Sequence, residues 1–267
     1  MASRRFTDIH CHVVPGIDDG ARDEAEALSM AAAACRDGTA TVIATPHQLG
    51  TNSHVTAAAI RTAVVELNRT LAGAGIALEV LPGADVRVEP ELPSLLKRGE
   101  VLTLADRGRH VLLELPHEVY FPLEPLLATL RKQGLTGILS HPERNRGIIA
   151  RPDVIADVVR AGGLIQITAG SLLGGFGGSA RRIAEFCIRE RLVHFVASDA
   201  HDTSRRPFGL RAAHDAIVGL ADARLAEAVT IGNPARVAAG LEVGSGSREN
   251  RRGGRTGLIG WLTRNAA

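Results

Sequence analysis

The chain has 267 residues, 45% hydrophobic and 22% charged, enough apolar content for the core of one large α/β domain and too much for a disordered chain. Its formal charge of +2 is unevenly spread: from Gly244 onward Arg248, Arg251, Arg252, Arg255 and Arg264 stand against Glu249, a net +4, which leaves about −2 for everything before. A slightly acidic body with 3% aromatics argues against nucleic-acid binding, which uses basic faces and stacking rings. Cys11, Cys35 and Cys187 are an odd set with no C-x-x-C pair, so a reducing cytoplasm is the expected compartment. The chain enters its first strand near Phe6 without the charged and apolar regions of a signal peptide, and no run approaches the roughly 20 apolar residues of a spanning helix.

In chain order, strands are expected near 6–10, 40–45, 77–82, 110–115, 136–140, 164–168 and 193–198. Between them helical spacing covers Glu24 to Arg36, Val55 to Ala72, Leu123 to Lys132, Asp153 to Arg160, Arg181 to Arg191 and Leu210 to Leu220, with Gly38, Gly73, Gly134 and Gly162 after last turns. About seven βα units make a parallel sheet, open or closed. Closure is favoured because a barrel brings the C-terminal ends of all its strands to one mouth, and no G-x-G-x-x-G follows the first strand. The Gly-rich stretch Gly170 to Gly178 lacks the ending of a P-loop and reads as a mobile loop at that mouth. The barrel is assigned to residues 1–243 and a flexible basic tail to 244–267; the tail's apolar end around Trp261 suits contact with a partner or the protein itself, and its basic charge suits an anionic membrane surface or an acidic protein tail.

The chemistry lies at the ends of the apolar runs. His10 and His12, at i and i+2 on a strand, project to one face and can share a metal. Alone they would be weak evidence, but His47, His141 and His201 also end strands, with Asp85, Glu114 and Asp199 in equivalent positions and Asp18-Asp19-Gly20 on the first loop. Imidazole and carboxylate ligands without thiolate suit Mn, Fe or Zn, and such a cluster generates hydroxide at neutral pH and clamps phosphoryl oxygens. Arg144 and Arg206, just beyond His141 and His201, can hold phosphate oxygens bidentately. A Cys-x5-Arg nucleophile fails by counting, since Ile17, Thr41 and Val193 stand six residues after the cysteines; no G-x-S-x-G elbow is present either. Cys11 reads as a small packing residue.

Together these motifs resemble the PHP (polymerase and histidinol phosphatase) superfamily, and within it the bacterial manganese-dependent protein-tyrosine phosphatases of the CpsB/YwqE type. The resemblance spans about residues 6 to 240. It rests on Asp-Ile-His-Cys-His at 8–12, Pro-Gly-Ile-Asp-Asp-Gly at 15–20, Ala-Thr-Pro-His at 44–47, Leu-Pro-Gly-Ala-Asp-Val-Arg at 81–87, Leu-Leu-Glu-Leu-Pro at 112–116, Ser-His-Pro-Glu-Arg-Asn at 140–145, Thr-Ala-Gly-Ser at 168–171 and Ala-Ser-Asp-Ala-His at 197–201. It implies a distorted (β/α)7 PHP-type barrel with its metal site at the C-terminal end of the strands. It further implies three metal ions, Mn2+ first with Fe, Co or Zn as alternatives, and hydrolysis of phosphotyrosine on the tyrosine-rich tail of a kinase that controls capsule or exopolysaccharide synthesis. The implied ligands are His10, His12, Asp19, His47, Asp85, Glu114, His141, Asp199 and His201, with Arg144 and Arg206 as phosphate-binding arginines. Position 85 departs from the pattern: Asp stands where the family usually has Glu, one methylene longer. The competing readings are a histidinol-phosphate-like small-molecule phosphatase and a non-catalytic metal-binding PHP module.

Overall fold

The computed structural model describes residues 5–244. The basic tail expected beyond Gly244 lies outside the described residues. Nine parallel strands, β1 (Phe6–Cys11), β2 (Thr39–Ala44), β3 (His47–Gln48), β4 (Glu79–Pro82), β5 (Asp85–Arg87), β6 (His110–Glu114), β7 (Thr136–Ser140), β8 (Leu164–Thr168) and β9 (Phe195–Ala197), form two sheets. The three-stranded sheet runs β1-β2-β4 and the six-stranded sheet β3-β5-β6-β7-β8-β9. β3 resumes the course of β2 beyond Thr45 and Pro46, and β5 resumes that of β4 beyond Gly83 and Ala84, so seven chain passes lie side by side in sequence order. Pro46 has no N–H for a ladder, and the break falls there.

The last pass meets the first. Cys11 pairs with Ala200, the Asp199 N–H donates to the His10 carbonyl at 2.8 Å, and the His12 N–H donates to the Ala200 carbonyl at 2.9 Å. The ladder is therefore not continuous around the ring, as a distorted barrel requires. His47 and Asp85, expected just beyond the ends of the strands near 40–45 and 77–82, instead open short strands of their own, β3 and β5.

Among the described residues eleven α-helices connect the passes or pack around them: α1 (Glu24–Asp37), α2 (Ala57–Gly73), α3 (Leu92–Arg98), α4 (Glu124–Lys132), α5 (Arg146–Ala150), α6 (Val154–Arg160), α7 (Ala169–Leu172), α8 (Gly177–Arg189), α9 (Leu210–Leu220), α10 (Ala223–Glu227) and α11 (Asn233–Ala238). The Asp23 carboxylate caps α1 by accepting from the Glu26 N–H, and the Thr56 hydroxyl caps α2 by accepting from the Ala59 N–H. Two details differ from the sequence reading. Gly73 lies within α2, and the left-handed residue after it is Gly75; α8 begins four residues before Arg181, so the expected mobile loop at 170–178 is largely helix, with a tight turn at 173–176.

Alternation along β6 to β9 sorts side chains into two environments. Leu113, Leu139, Ile165, Ile167 and Val196 join the large core beneath the helices. Leu112, Ile138, Leu164, Phe195 and Ala197 form a second apolar cluster with Ile9 and Ile43, covered by Val237 and Val243. A cluster drawing on strands all around the ring is the inside of the barrel. Further along the same inward rows stand Glu114, Ser140, Gln166 and Asp199, all buried. The apolar tier thus supports a polar one at the C-terminal mouth.

Candidate metal centre

All nine carboxylates and imidazoles expected as ligands converge in this polar tier. Four overlapping groups, His12/Asp19/His47/His201, His10/His12/Asp85, His10/His141/Asp199 and His47/Asp85/Glu114, each offer ligand atoms within 4.8 Å of one another. The i, i+2 pair faces inward as expected, with the His10 and His12 Nε2 atoms 3.2 Å apart. The Asp199 Oδ1 lies 3.3 Å from the His10 Nε2 and 3.4 Å from the His12 Nε2. Although one methylene short of Glu, Asp85 reaches the middle of the cluster: its Oδ2 is 3.6 Å from the His10 Nε2, the His47 Nδ1 and the His141 Nε2. Asp19 is the exposed member, with its Oδ1 3.3 Å from the His201 Nε2.

Hydrogen bonds fix which ring nitrogens point inward. The His10 Nδ1–H donates to the Gln166 Oε1 at 3.0 Å, the His12 Nδ1–H to the Asp18 Oδ2 at 2.6 Å, and the His201 Nδ1–H to the Asp199 carbonyl at 3.0 Å. Each ring therefore turns its Nε2 to the cluster. Asp18 also accepts from the His47 backbone N–H at 3.1 Å, so one carboxylate orients the His12 ring and holds the backbone at His47. Gly20 lets that loop close: a Cβ there would lie 2.0 Å from the His12 carbonyl oxygen. The sequence offers Asp18 only as one of two adjacent carboxylates on the first loop and gives no sign of Gln166; their orienting roles come from the fold. His141 and Asp199 have φ of +32° and +52°, a left-handed backbone that non-glycine residues adopt at local cost, here at two strand exits in the site.

The polar tier is electrostatically uncomfortable without cations. Burial raises the Asp85 carboxyl well above its ordinary value, reinforced by Glu114, which burial also raises. Both Asp85 oxygens are buried without a hydrogen-bond partner, as are the His47 Nδ1 and His201 Nε2. Burial lowers His10 to about 3, His47 to about 4, and His141 well below the usual imidazole range. His12 goes the other way: burial alone would lower it, but the Asp18 and Asp199 carboxylates outweigh that and raise it to about 10. Burial would likewise raise Asp199, yet Arg144, His10, His12 and Arg206 hold it well below the carboxylate range. The neutral imidazoles of His10, His47 and His141 and the unpartnered Asp85 oxygens are groups that hard to borderline divalent cations satisfy, so the donor set fits a metal centre.

Arg144 and Arg206 meet at the rim of this tier. Their Nη2 atoms lie 2.7 and 2.6 Å from the same oxygen, the Asp199 Oδ2. Cys11 is fully buried and its thiol is pushed well above its ordinary value by burial; burial raises Cys187 as well. Neither is a thiolate nucleophile.

Fold and site together define a PHP-type α/β barrel whose mouth carries a cluster of imidazoles and carboxylates with the donor set of a metal centre, flanked by arginines. The family model for capsular polysaccharide synthesis, CpsB/CapC, matches residues 6–239. The chain belongs to that family. It is 40% identical over 203 residues, 75% of this chain and 79% of the relative, to the tyrosine-protein phosphatase YwqE of Bacillus subtilis (strain 168). It is 24% identical over 236 residues, 86% and 97% of the two chains, to the tyrosine-protein phosphatase CpsB of Streptococcus pneumoniae. A solved structure from work on YwqE of Bacillus subtilis and CpsB of Streptococcus pneumoniae, described as unique metal-dependent tyrosine phosphatases, superposes with a TM-score of 0.85 at 35% identity, covering 89% of this chain and 96% of the other. No helix among the described residues is long and apolar enough to cross a membrane.

Proposed function

We propose that this protein is a manganese-dependent phosphatase that hydrolyses phosphotyrosine on a protein, with the tyrosine-rich tail of a kinase governing capsule or exopolysaccharide synthesis as its substrate, and that it works in the cytoplasm. The observation that carries this reading is the buried Asp85 carboxylate, with no hydrogen-bond partner and imidazole nitrogens on three sides, beside two convergent arginines. The named activity of the relatives and their metal dependence support it.

His10, His12, Asp19, His47, Asp85, Glu114, His141, Asp199 and His201 would hold up to three ions through the overlapping groups described above. When bound, such ions lower the pKa of water and polarise phosphoryl oxygens. Asp18 and Gln166 keep the His12 and His10 rings turned inward, which preorganises the site before any ion arrives. Arg144 and Arg206 bind the phosphoryl oxygens and stabilise the charge that develops on them. Burial raises the thiols of Cys11, Cys35 and Cys187 above their ordinary value, so none is a ready thiolate. Hydrolysis proceeds by direct attack of water on phosphorus as the bond from phosphorus to the tyrosyl oxygen breaks, the water giving one proton to the departing tyrosyl oxygen and leaving inorganic phosphate, without a phospho-enzyme.

The test is steady-state hydrolysis of a phosphotyrosine peptide beside a phosphoserine peptide and histidinol phosphate, with metal-stripped protein resupplied with Mn, Fe, Co, Zn or Mg. Selective phosphotyrosine turnover restored best by Mn is the expected result. Preference for histidinol phosphate would make the protein a small-molecule phosphatase, and a trapped phospho-enzyme would overturn direct attack.

A further inference from the structure

The Gly-rich stretch between α7 and α8 is not a phosphate loop, and none of its residues is among the nine side chains of the cluster. What it does is present one aromatic ring to the arginine pair. The Arg144 guanidinium carbon lies 4.7 Å from the centroid of the Phe176 ring and that of Arg206 lies 5.8 Å from it. Both arginines already converge on the Asp199 Oδ2, so two like charges are held side by side at the rim. The negative face of an aromatic ring offsets that repulsion and fixes the guanidinium planes.

The ring itself has a built seat. A Cβ at Gly170 would lie 2.9 Å from the Phe176 Cε2 and 3.4 Å from its Cδ2, so the ring rests against the backbone where only glycine leaves room. The turn that carries it is closed by the Gly175 N–H donating to the Gly170 carbonyl at 2.8 Å. Gly174 and Gly177, on either side, have φ of +92° and +84°. The glycines thus serve a geometric end, carrying the chain back over Gly170 so that residue 176 lies against both arginines.

We propose that Phe176 is the positioning residue for Arg144 and Arg206, holding the two guanidinium groups in the paired arrangement that receives the phosphoryl group. This rests on reading the arginines as phosphate binders. Two cation–π contacts at a partly exposed site correspond to about a tenfold effect on anion affinity. Phe176→Leu keeps apolar bulk and loses the π face; Phe176→Tyr keeps the ring.

The measurement is the affinity of metal-loaded protein for inorganic phosphate by calorimetry, with bound metal and melting temperature recorded for each variant. Phe176→Leu, or Phe176→Met should the leucine variant fold poorly, should weaken phosphate binding about tenfold with metal content unchanged, while Phe176→Tyr stays at the wild-type value. In an Arg144→Ala/Arg206→Ala background, Phe176→Leu should have no further effect, because its influence runs through the arginines. Undiminished phosphate affinity in Phe176→Leu, or an equal loss with the arginines absent, would overturn the proposal. If the arginine substitutions themselves leave phosphate affinity unchanged, the phosphate-binding reading of the pair fails as well.

Discussion

The inside of the barrel holds two tiers on the same strands, and they obey opposite rules. Leu112, Ile138, Leu164 and Phe195 are wholly or almost wholly buried among other apolar side chains, where removal from water is their gain. Glu114, Ser140, Gln166 and Asp199, further along the same rows, are buried as well, but in company that leaves Asp85 with two unpartnered oxygens and pairs two arginines on one carboxylate oxygen. The lower tier stabilises the fold and the upper tier draws on that stability to hold groups that prefer water or a cation. A site of this kind is not an independent structure; it exists because a well-packed layer beneath it fixes where its side chains start.

The contrast is sharpest in the substitutions that separate the tiers. Asp85→Asn should lower phosphotyrosine turnover by about a thousandfold or more while the protein stays folded, checked by steady-state kinetics and circular dichroism. Leu112→Ala should do the reverse, costing about 2–5 kcal/mol of stability in a denaturant titration while metal content per folded chain is retained. If Leu112→Ala strips the metal with no loss of stability, the two tiers are not distinct. Asp18→Asn, which removes the carboxylate that orients the His12 ring and accepts from the His47 backbone N–H, should weaken metal affinity by about 10- to 100-fold, read by competition with a chelating dye.

The smallest effect has a definite sign. Burial raises the Asp85 carboxyl, so the metal-free folded chain holds a proton that the unfolded chain gives up above about pH 3.9, and stability falls as pH rises above that value. Metal-free Asp85→Asn should therefore be more stable than metal-free wild type at neutral pH by about 1–3 kcal/mol, and the gain should fade as pH falls toward 4. Equal stability of the two at neutral pH would mean that Asp85 carries no penalty in the absence of metal.

Much of this arrangement is legible in the sequence, and where legibility ends has physical causes. β7, β8 and α9 begin and end where their apolar runs and punctuation indicate, because burial on one or both faces leaves a regular pattern. Strands of two or three residues, such as β3 and β5, and short helices such as α5, α7 and α10 have too few residues for a period to show. The nine clustered residues stand out because histidines and carboxylates at the ends of apolar runs are conspicuous. The groups that orient them are not: Gln166 meets His10 across 156 positions, and Asp18 is adjacent to Asp19 with no spacing rule to tell the orienting carboxylate from the one facing His201. Phe176 is hidden for the same reason, since its partners Arg144 and Arg206 lie 32 and 30 residues away in the chain.

The central claim, that the polar tier is a metal centre for phosphotyrosine hydrolysis, is tested most directly by counting bound metal per chain while following turnover of a phosphotyrosine peptide. Chelation should abolish turnover, and activity should return in step with Mn uptake in wild type but not in Asp85→Asn. Full turnover by chelated wild-type protein would contradict the account.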